Sequence, residues 1–326
     1  MIAAALSAFT KFAARIEPRS PILPVARPAY ALMGVLAIAD LVYVGMSDFE
    51  WGFGPYTRML LVLAVASISA LVARRYQMLQ VASYLEATSF IGLVGLLTIC
   101  STLIGAAWSG QFIDTSLIEF DRLFGFDWLS VYRYSRVYPE IVFILNISYS
   151  SLFLQMVTVP ALLTLFGEFE CKWTFITAWT VASILTVLIF PFTPAEGAPI
   201  HFSVGPDAWS SAWFWQFGPR IAGLRAGALR DISSTAMGIV SVPSFHAAAG
   251  VMLAWASLRL RSFRIPFVLL NLLMIASTPI SGVHYLVDVL AGMVEGAVSV
   301  ILARILINAC ESERFRGDKV EARAAS

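Results

Sequence analysis

The three histidines of this chain, His201, His246 and His284, are the residues best suited to catalysis. His284 is followed four residues later by Asp288, so in a helix the two side chains share one face. A carboxylate that accepts a hydrogen bond from Nδ1–H fixes the imidazole tautomer and leaves Nε2 free as a nucleophile or base. The alternative is a structural pair that joins two helices.

His246 belongs to a second motif, in which Pro243 and Ser244 come just before it. Proline suits the first turn of a helix, serine caps it, and the free N–H groups there bind anions. Together with the His284–Asp288 pair, this set could hold a phosphate ester, attack phosphorus and protonate the leaving oxygen. The alternative is an ordinary capped helix with a buried histidine.

The elements that position these residues must lie in a membrane. Hydrophobic residues make up 59% of the chain and charged residues 13%, and the net charge is +1. Soluble domains carry about 25% charged residues, so this composition excludes a cytosolic enzyme and a disordered scaffold. The near-neutral charge excludes a nucleic-acid binder. Cys100, Cys171 and Cys310 are too far apart in sequence for a disulfide framework or a CxxC site.

The hydropathy pattern predicts an all-α integral membrane protein with about eight spans, since a crossing helix needs about 20 apolar residues. The predicted spans are Ala29–Met46, Arg58–Val72, Tyr84–Ala107, Pro139–Phe166, Trp173–Phe192, Val242–Leu258, Ile265–Ser281 and His284–Ile307. We assign residues 1–28 to an N-terminal interfacial segment and 29–83 to two additional spans. A six-span catalytic core follows at 84–308, with an outer loop at 193–241, and then a cytoplasmic tail at 309–326.

Two further segments and the basic residues complete the predicted topology. Trp108–Tyr138 is predicted to be an amphipathic segment at the membrane surface, and Met1–Arg15 a surface helix rather than a cleaved signal peptide. Of the 22 basic residues, 15 lie on one side of the predicted spans and 7 on the other. The positive-inside rule then puts both termini in the cytoplasm and the histidines at the outer, periplasmic or luminal, face. The membrane is expected to be a bacterial inner membrane or its equivalent.

The two histidine motifs resemble signatures of the type 2 phosphatidic acid phosphatase superfamily. Pro243-Ser244-Phe245-His246 is similar to PSxH, and the segment from Ser277 through His284 to Asp288 is similar to SRxxxxxHxxxD. The resemblance covers roughly Tyr84–Ile307. It implies a six-helix core in which His284 is the nucleophile, Asp288 orients it and His246 is the general acid. It also implies that Ser244 binds phosphate oxygens and that no cofactor or metal takes part.

Two departures direct the resemblance to one branch. Thr278 stands where the third signature has Arg, and no match to the first signature, KxxxxxxRP, precedes the sixth span. The branch that contains the inositol phosphorylceramide synthases, together with its bacterial relatives, departs similarly. Arg225 and Arg230, just upstream of the serine motif, could replace the lost phosphate-binding cations beside Ser244 and Thr278. They could equally contact lipid headgroups.

These observations predict a lipid phosphotransferase that acts through phosphohistidine on a phospholipid donor and a lipid alcohol acceptor, with no nucleic acid partner. A lipid phosphate or diphosphate phosphatase is the alternative within the superfamily. A non-catalytic lipid-binding or transport protein and a zinc enzyme that uses the three histidines are the alternatives from other classes. Glu196 and His201 are expected to be loop residues. Asp40, Glu86 and Glu295 are expected to form interior hydrogen bonds.

Overall fold

The helices in the described part of the chain pack into one bundle. The computed structural model describes residues 24–205 and 214–324. The α-helices in those ranges are α1 (Arg27–Met46), α2 (Pro55–Arg75), α3 (Leu79–Trp108), α4 (Asp114–Leu123), α5 (Trp128–Ser135), α6 (Pro139–Leu165), α7 (Phe169–Ile189), α8 (Ala198–His201), α9 (Phe217–Arg225), α10 (Phe245–Ser257), α11 (Arg264–Ser281) and α12 (Leu286–Ala324). The β-structure within those ranges is one isolated bridge between Glu50 and Asp231.

The predicted all-α membrane fold is confirmed, with one difference in span length. Seven helices, α1, α2, α3, α6, α7, α11 and α12, are long and apolar enough to cross a membrane. The predicted sixth span, Val242–Leu258, is instead the 13-residue helix α10. At 1.5 Å per residue this helix is about 20 Å long, which is shorter than the hydrocarbon thickness of about 30 Å. The Pro- and Ser-containing turn before Phe245 takes up residues that hydropathy alone assigned to the span.

The short helix α10 lies in the centre of the bundle, packed against α7, α11 and α12. Glycines of α12 allow the closest approach. A Cβ atom at Gly292 would lie 2.2 Å from the backbone oxygen of Ser244, and one at Gly296 would lie 2.5 Å from that of Ala248. Only a residue without a side chain fits at these distances. This contact holds the turn that carries His246 directly against the helix that carries Asp288.

The N-terminal helices pack on the bundle through α3 and α7, and polar contacts contribute to this packing. The three acidic residues that were expected to form interior hydrogen bonds each accept one. Asp40 accepts from Ser101 at 2.6 Å, Glu86 from Tyr30 at 2.6 Å and Glu295 from Thr186 at 2.8 Å. Glu86 also forms an ion pair with Arg74, which ties α2 to α3. Such pairing is what makes a charged residue tolerable within a membrane domain.

The segments between the spans form short helices. The predicted amphipathic segment Trp108–Tyr138 contains α4 and α5, and the described parts of the loop 193–241 contain α8 and α9. Residues 1–23, which include the predicted surface helix Met1–Arg15, lie outside the described residues. The predicted tail 309–326 begins inside α12, whose helix continues to Ala324.

Candidate active site

His246 and His284 line the same cavity, which has a volume of about 580 Å³. His246 comes from the first turn of α10, and His284 lies in the turn between α11 and α12. The other walls come from α3, α6, α7 and the segment around Met237. His201 is exposed at the end of α8 and is not among the lining residues. The structure therefore brings together two of the three histidines.

The imidazole of His284 is held by a backbone carbonyl. Its Nδ1 lies 2.9 Å from the backbone oxygen of Ser241. A carbonyl oxygen can only accept a hydrogen bond, so Nδ1 carries the proton and Nε2 of the neutral ring keeps its lone pair. The side chain is only 3% exposed. This is the tautomer that a nitrogen nucleophile at Nε2 requires.

Asp288 is connected to His284 through Ser241 rather than by a direct hydrogen bond. Its Oδ2 is 3.7 Å from Nδ1 of His284, which is too long for such a bond. Instead, Oδ2 accepts from the Ser241 hydroxyl at 2.8 Å and from the backbone N–H of Tyr285 at 3.0 Å. The carboxylate thus fixes the residue whose carbonyl holds the imidazole. The spacing of His284 and Asp288 predicted their proximity but not the intervening serine.

The imidazole of His246 stacks on the ring of Tyr149 from α6. The two ring centroids are 3.9 Å apart and the rings are inclined by 10°. Nε2 of His246 is buried and has no hydrogen-bond partner among the described residues. A ring restrained on one face, with a nitrogen not engaged by these residues, is suited to exchange a proton with a bound ligand. Nothing in the sequence around Tyr149 indicated this contact.

Ser244 and Thr278 lie next to the site but direct their hydroxyls to helix backbones. The Ser244 hydroxyl accepts from the backbone N–H of Ala247 at 3.4 Å and so caps α10. The Thr278 hydroxyl donates to the backbone oxygen of Ile275 at 2.7 Å. Both side chains are fully buried, and neither is among the residues that line the cavity.

Arg225 and Arg230 do not line the cavity, and their side chains contact other residues. Nε of Arg225 donates to the Ser109 hydroxyl at 3.0 Å, and its guanidinium lies 4.4 Å from the centre of the Phe112 ring. Arg230 pairs with Asp48 at 3.5 Å. None of the cavity-lining residues in the described ranges is Lys or Arg. The two arginines predicted to bind phosphate therefore lie outside the cavity lining.

Hydroxyl and amide side chains supply most of the polarity of the cavity. Those that line it are Thr98, Thr102, Asn146, Ser150, Ser183, Thr186 and Ser281. The lining also includes apolar side chains, among them Leu152, Phe153 and Met156 of α6. A cavity lined by both polar and apolar side chains suits an amphipathic ligand.

Two buried aspartates of α4, which sequence reasoning missed, fix the backbone around His284. Asp121 accepts from the backbone N–H groups of Leu286 and Val287 at 3.0 and 2.8 Å, and so caps α12. Burial raises the pKa of the Asp121 carboxyl, although these two bonds oppose the shift. Asp114 and Asp121 are seven residues apart on an amphipathic helix and therefore lie on one face. This spacing was the available signal.

Asp114 joins the loop after α7 to the turn that carries His284. It accepts from the backbone N–H groups of Glu196 and Gly197 at 3.0 and 3.1 Å, and from the Tyr285 hydroxyl at 2.9 Å. Burial, and then the neighbouring carboxylates, raise the pKa of Tyr285, so its hydroxyl stays protonated and donates. Ligand atoms of Asp114, Glu196 and His201 lie within 4.8 Å of one another, close enough to hold a metal ion. The three bonds to Asp114 give it a structural role without one.

Comparison with known proteins identifies one family. A family model described as the PAP2 superfamily matches residues 115–302. The match includes both histidine motifs and α4, but begins after α3, the first helix of the predicted six-span core. No curated protein and no solved structure matches the chain.

Proposed function

Since the chain belongs to the PAP2 superfamily, we propose that it is a lipid phosphotransferase of the inositol phosphorylceramide synthase type. It moves a phosphoryl-bearing headgroup from a phospholipid to a lipid alcohol. The family match covers more than half of the chain, and the superfamily comprises phosphatases and phosphotransferases. The observation that carries the proposal is that His246 and His284 line one cavity, with Nδ1 of His284 bonded to a carbonyl oxygen.

In the first half-reaction, Nε2 of His284 attacks the phosphorus of the donor lipid. A phosphorus–nitrogen bond forms, and the bond from phosphorus to the oxygen of the leaving alcohol breaks. His246 gives its proton to that oxygen, so the leaving group departs as a neutral alcohol. The Ser241 carbonyl, and the Asp288 carboxylate bonded to the Ser241 hydroxyl, stabilise the positive charge that develops on the His284 ring.

In the second half-reaction, the acceptor hydroxyl attacks the phosphohistidine. A new phosphorus–oxygen bond forms, the phosphorus–nitrogen bond breaks, and His246 takes up the proton of the acceptor. Water as acceptor would give hydrolysis instead. The apolar part of the cavity favours a lipid acceptor, because it limits the water that reaches the intermediate.

The charge of the cavity favours a phosphodiester over a phosphate monoester. A diester carries one negative charge and a monoester up to two near pH 7, and the described lining contains neither Lys nor Arg. A bound dianion in a site of low dielectric constant needs cationic partners, whereas a monoanion can be satisfied with hydroxyl and amide donors. A phospholipid whose headgroup stays attached to phosphorus is therefore the preferred donor.

Ser244, Thr278, Arg225 and Arg230 do not line the cavity, so their predicted phosphate binding is a separate proposal, and the two arginines have their own test. Arg225→Ala and Arg230→Ala are compared with Arg133→Ala. If the upstream pair serves phosphate, each variant raises KM for the donor well above the value for Arg133→Ala. Equal kinetic constants for all three variants would assign Arg225 and Arg230 to contacts outside the reaction.

The test of the function uses purified protein in mixed micelles with a headgroup-labelled phospholipid. Ceramide or diacylglycerol is supplied or withheld as acceptor. We expect a new labelled lipid only when acceptor is present, and a labelled phosphoenzyme that His284→Ala abolishes. Water-soluble labelled headgroup phosphate released at the same rate with and without acceptor would identify a lipid phosphatase-type hydrolase. If a panel of phospholipids gave neither labelled product nor phosphoenzyme, the result would favour a non-catalytic lipid-binding protein.

A further inference from the structure

A second recess, here called the Asp40 groove, lies outside the catalytic cavity. It has a volume of about 330 Å³ and is bounded by α1, α3 and the end of α7. Val35 and Leu188 stand at its mouth, with side chains that are 63% and 60% exposed. In a membrane-spanning bundle, such exposed apolar side chains face lipid. The groove is therefore open to the acyl region of the bilayer.

The groove and the catalytic cavity use different residues of the same two helices. Ser101 of α3 lines the groove, whereas its neighbour Thr102 lines the cavity. On α7, Ile184 lines the groove and Ser183 the cavity. Successive residues on a helix point about 100° apart, so α3 and α7 form a wall between the two spaces. The groove is a separate site and not an extension of the cavity.

One polar pair interrupts the otherwise apolar inner wall of the groove. Asp40 lines it and is only 6% exposed, and its Oδ1 accepts from the Ser101 hydroxyl at 2.6 Å. Its Oδ2 is buried and has no hydrogen-bond partner among the described residues. A buried carboxyl oxygen without a donor is costly, and rotation about the terminal bond of aspartate can exchange its two oxygens. The carboxyl group can therefore satisfy a donor that enters the groove.

We propose that the Asp40 groove binds a neutral lipid alcohol, with the lipid hydroxyl bonded to the Asp40–Ser101 pair and the acyl chain along the apolar wall. Among the described residues the lining contains no Lys or Arg to pair with an anionic phospholipid headgroup, whereas its carboxyl group can accept a hydrogen bond from a neutral alcohol. A lipid hydroxyl can donate to the carboxyl oxygen that has no donor, Oδ2 of Asp40, while the Ser101 hydroxyl continues to donate to Oδ1. Binding here does not depend on the proposed function, because it requires no turnover.

The test uses a photoactivatable, clickable diacylglycerol and the same probe with its hydroxyl methylated. Both are incubated with purified full-length protein that carries His284→Ala, so that turnover cannot consume the probe. We expect the alcohol probe to label α1, α3 and α7 residues of the groove. Unlabelled diacylglycerol should compete with it, and the methyl ether should label the groove about tenfold less, the effect of one hydrogen bond to a charged group.

Three groove variants and one control variant separate a specific site from bulk lipid. Asp40→Leu and Ser101→Ala should each reduce groove labelling several-fold, whereas Thr102→Ala, the matched loss of a hydroxyl on the cavity face, should not. Ala39→Phe, which fills the groove and leaves Asp40 intact, should also reduce labelling and provides a second measure if Asp40→Leu does not fold. Equal labelling by alcohol and ether, or labelling unchanged in Asp40→Leu or in folded Ala39→Phe, would overturn the proposal. A negative labelling result would overturn only the proposed binding site, because the headgroup-transfer assay tests the proposed function independently.

Discussion

At the scale of single residues, the bond that positions the proposed nucleophile comes from the main chain. The Ser241 carbonyl accepts from His284, and the Ser241 hydroxyl donates to Asp288. Because the Ser241 side chain is itself bonded to Asp288, the Ser241 carbonyl restrains the plane of the His284 imidazole more than an unsupported contact would. We therefore propose that Asp288 is a positioning residue whose effect passes through Ser241.

This relay predicts that Ser241→Ala and Asp288→Asn have overlapping effects. Ser241→Ala keeps the carbonyl but removes its connection to the carboxylate, and we expect the rate of phosphoenzyme formation to fall about tenfold, within the range known for supporting residues. The double variant should be little slower than Asp288→Asn alone, because both changes break one relay. Single-turnover measurements on the labelled donor give these rates. Effects that multiply in the double variant would contradict the relay.

His246 should be needed only when the leaving group is poor. His246→Ala removes the proposed acid. The alcohol of a phospholipid donor would then have to leave as an alkoxide, so the rate of transfer from phospholipids should fall about 100-fold or more. An aryl phosphodiester with an activated phenol needs little protonation and should retain most of its rate. Parallel assays of both substrates measure the ratio. Equal losses would mean that His246 binds the phosphoryl group instead.

At the scale of elements, the short helix α4 holds the start of α12 in place. Both carboxylate oxygens of Asp121 accept from backbone N–H groups at that helix end, and these contacts link residues more than 160 positions apart in sequence. The amphipathic pattern of Trp108–Tyr138 predicted helices in this segment. It did not predict their partner, because a seven-residue spacing defines a face of the helix and not what that face contacts.

Asp121→Asn should lower stability, because an amide keeps only one of the two acceptor oxygens. Asp121 is 2% exposed, so we expect a loss of about 1–3 kcal/mol, the cost of leaving a buried donor unsatisfied. Glu119→Gln is the matched control, because Glu119 lies exposed on the same helix. Thermal or denaturant unfolding in detergent micelles measures the difference. Equal shifts in both variants would remove the structural role assigned to Asp121.

Element positions were largely predictable from the sequence, and contacts between distant elements were not. Apolar runs located seven spans, and the His246 and His284 motifs located the cavity. Hydropathy overestimated α10, since it does not register where a helix begins. The Tyr149 ring on His246 and the aspartates of α4 depend on tertiary packing, for which neither periodicity nor motif spacing carries a signal. Arg225 and Arg230 are near the serine motif in sequence but bind other partners.

At the scale of the whole molecule, α10 and α11 form a hairpin whose return puts both histidines at one end of the bundle. α10 runs away from His246, the chain turns near Ser262, and α11 returns to Ser281 beside His284. The counts of basic residues on the two sides predict that the histidine end faces out of the cytoplasm. The orientation sets which leaflet supplies the substrates.

Thiol labelling from one side of the membrane tests this orientation. Cys100, Cys171 and Cys310 are first replaced, and Ser130→Cys and Ser262→Cys are made singly at exposed positions near opposite ends of the bundle. An impermeant maleimide added to intact cells should label the first and not the second, and lysis should expose both. The reverse pattern would place the histidines at the cytoplasmic leaflet.

The length of α10 has a consequence for the bilayer around the protein. A helix of 13 residues is about 10 Å shorter than the hydrocarbon layer it occupies. Because longer helices surround it, we expect the missing length to bring the polar surface closer to the histidines. A donor lipid then reaches His284 with its chains still in its own leaflet, and the rate of transfer should depend on acyl-chain length.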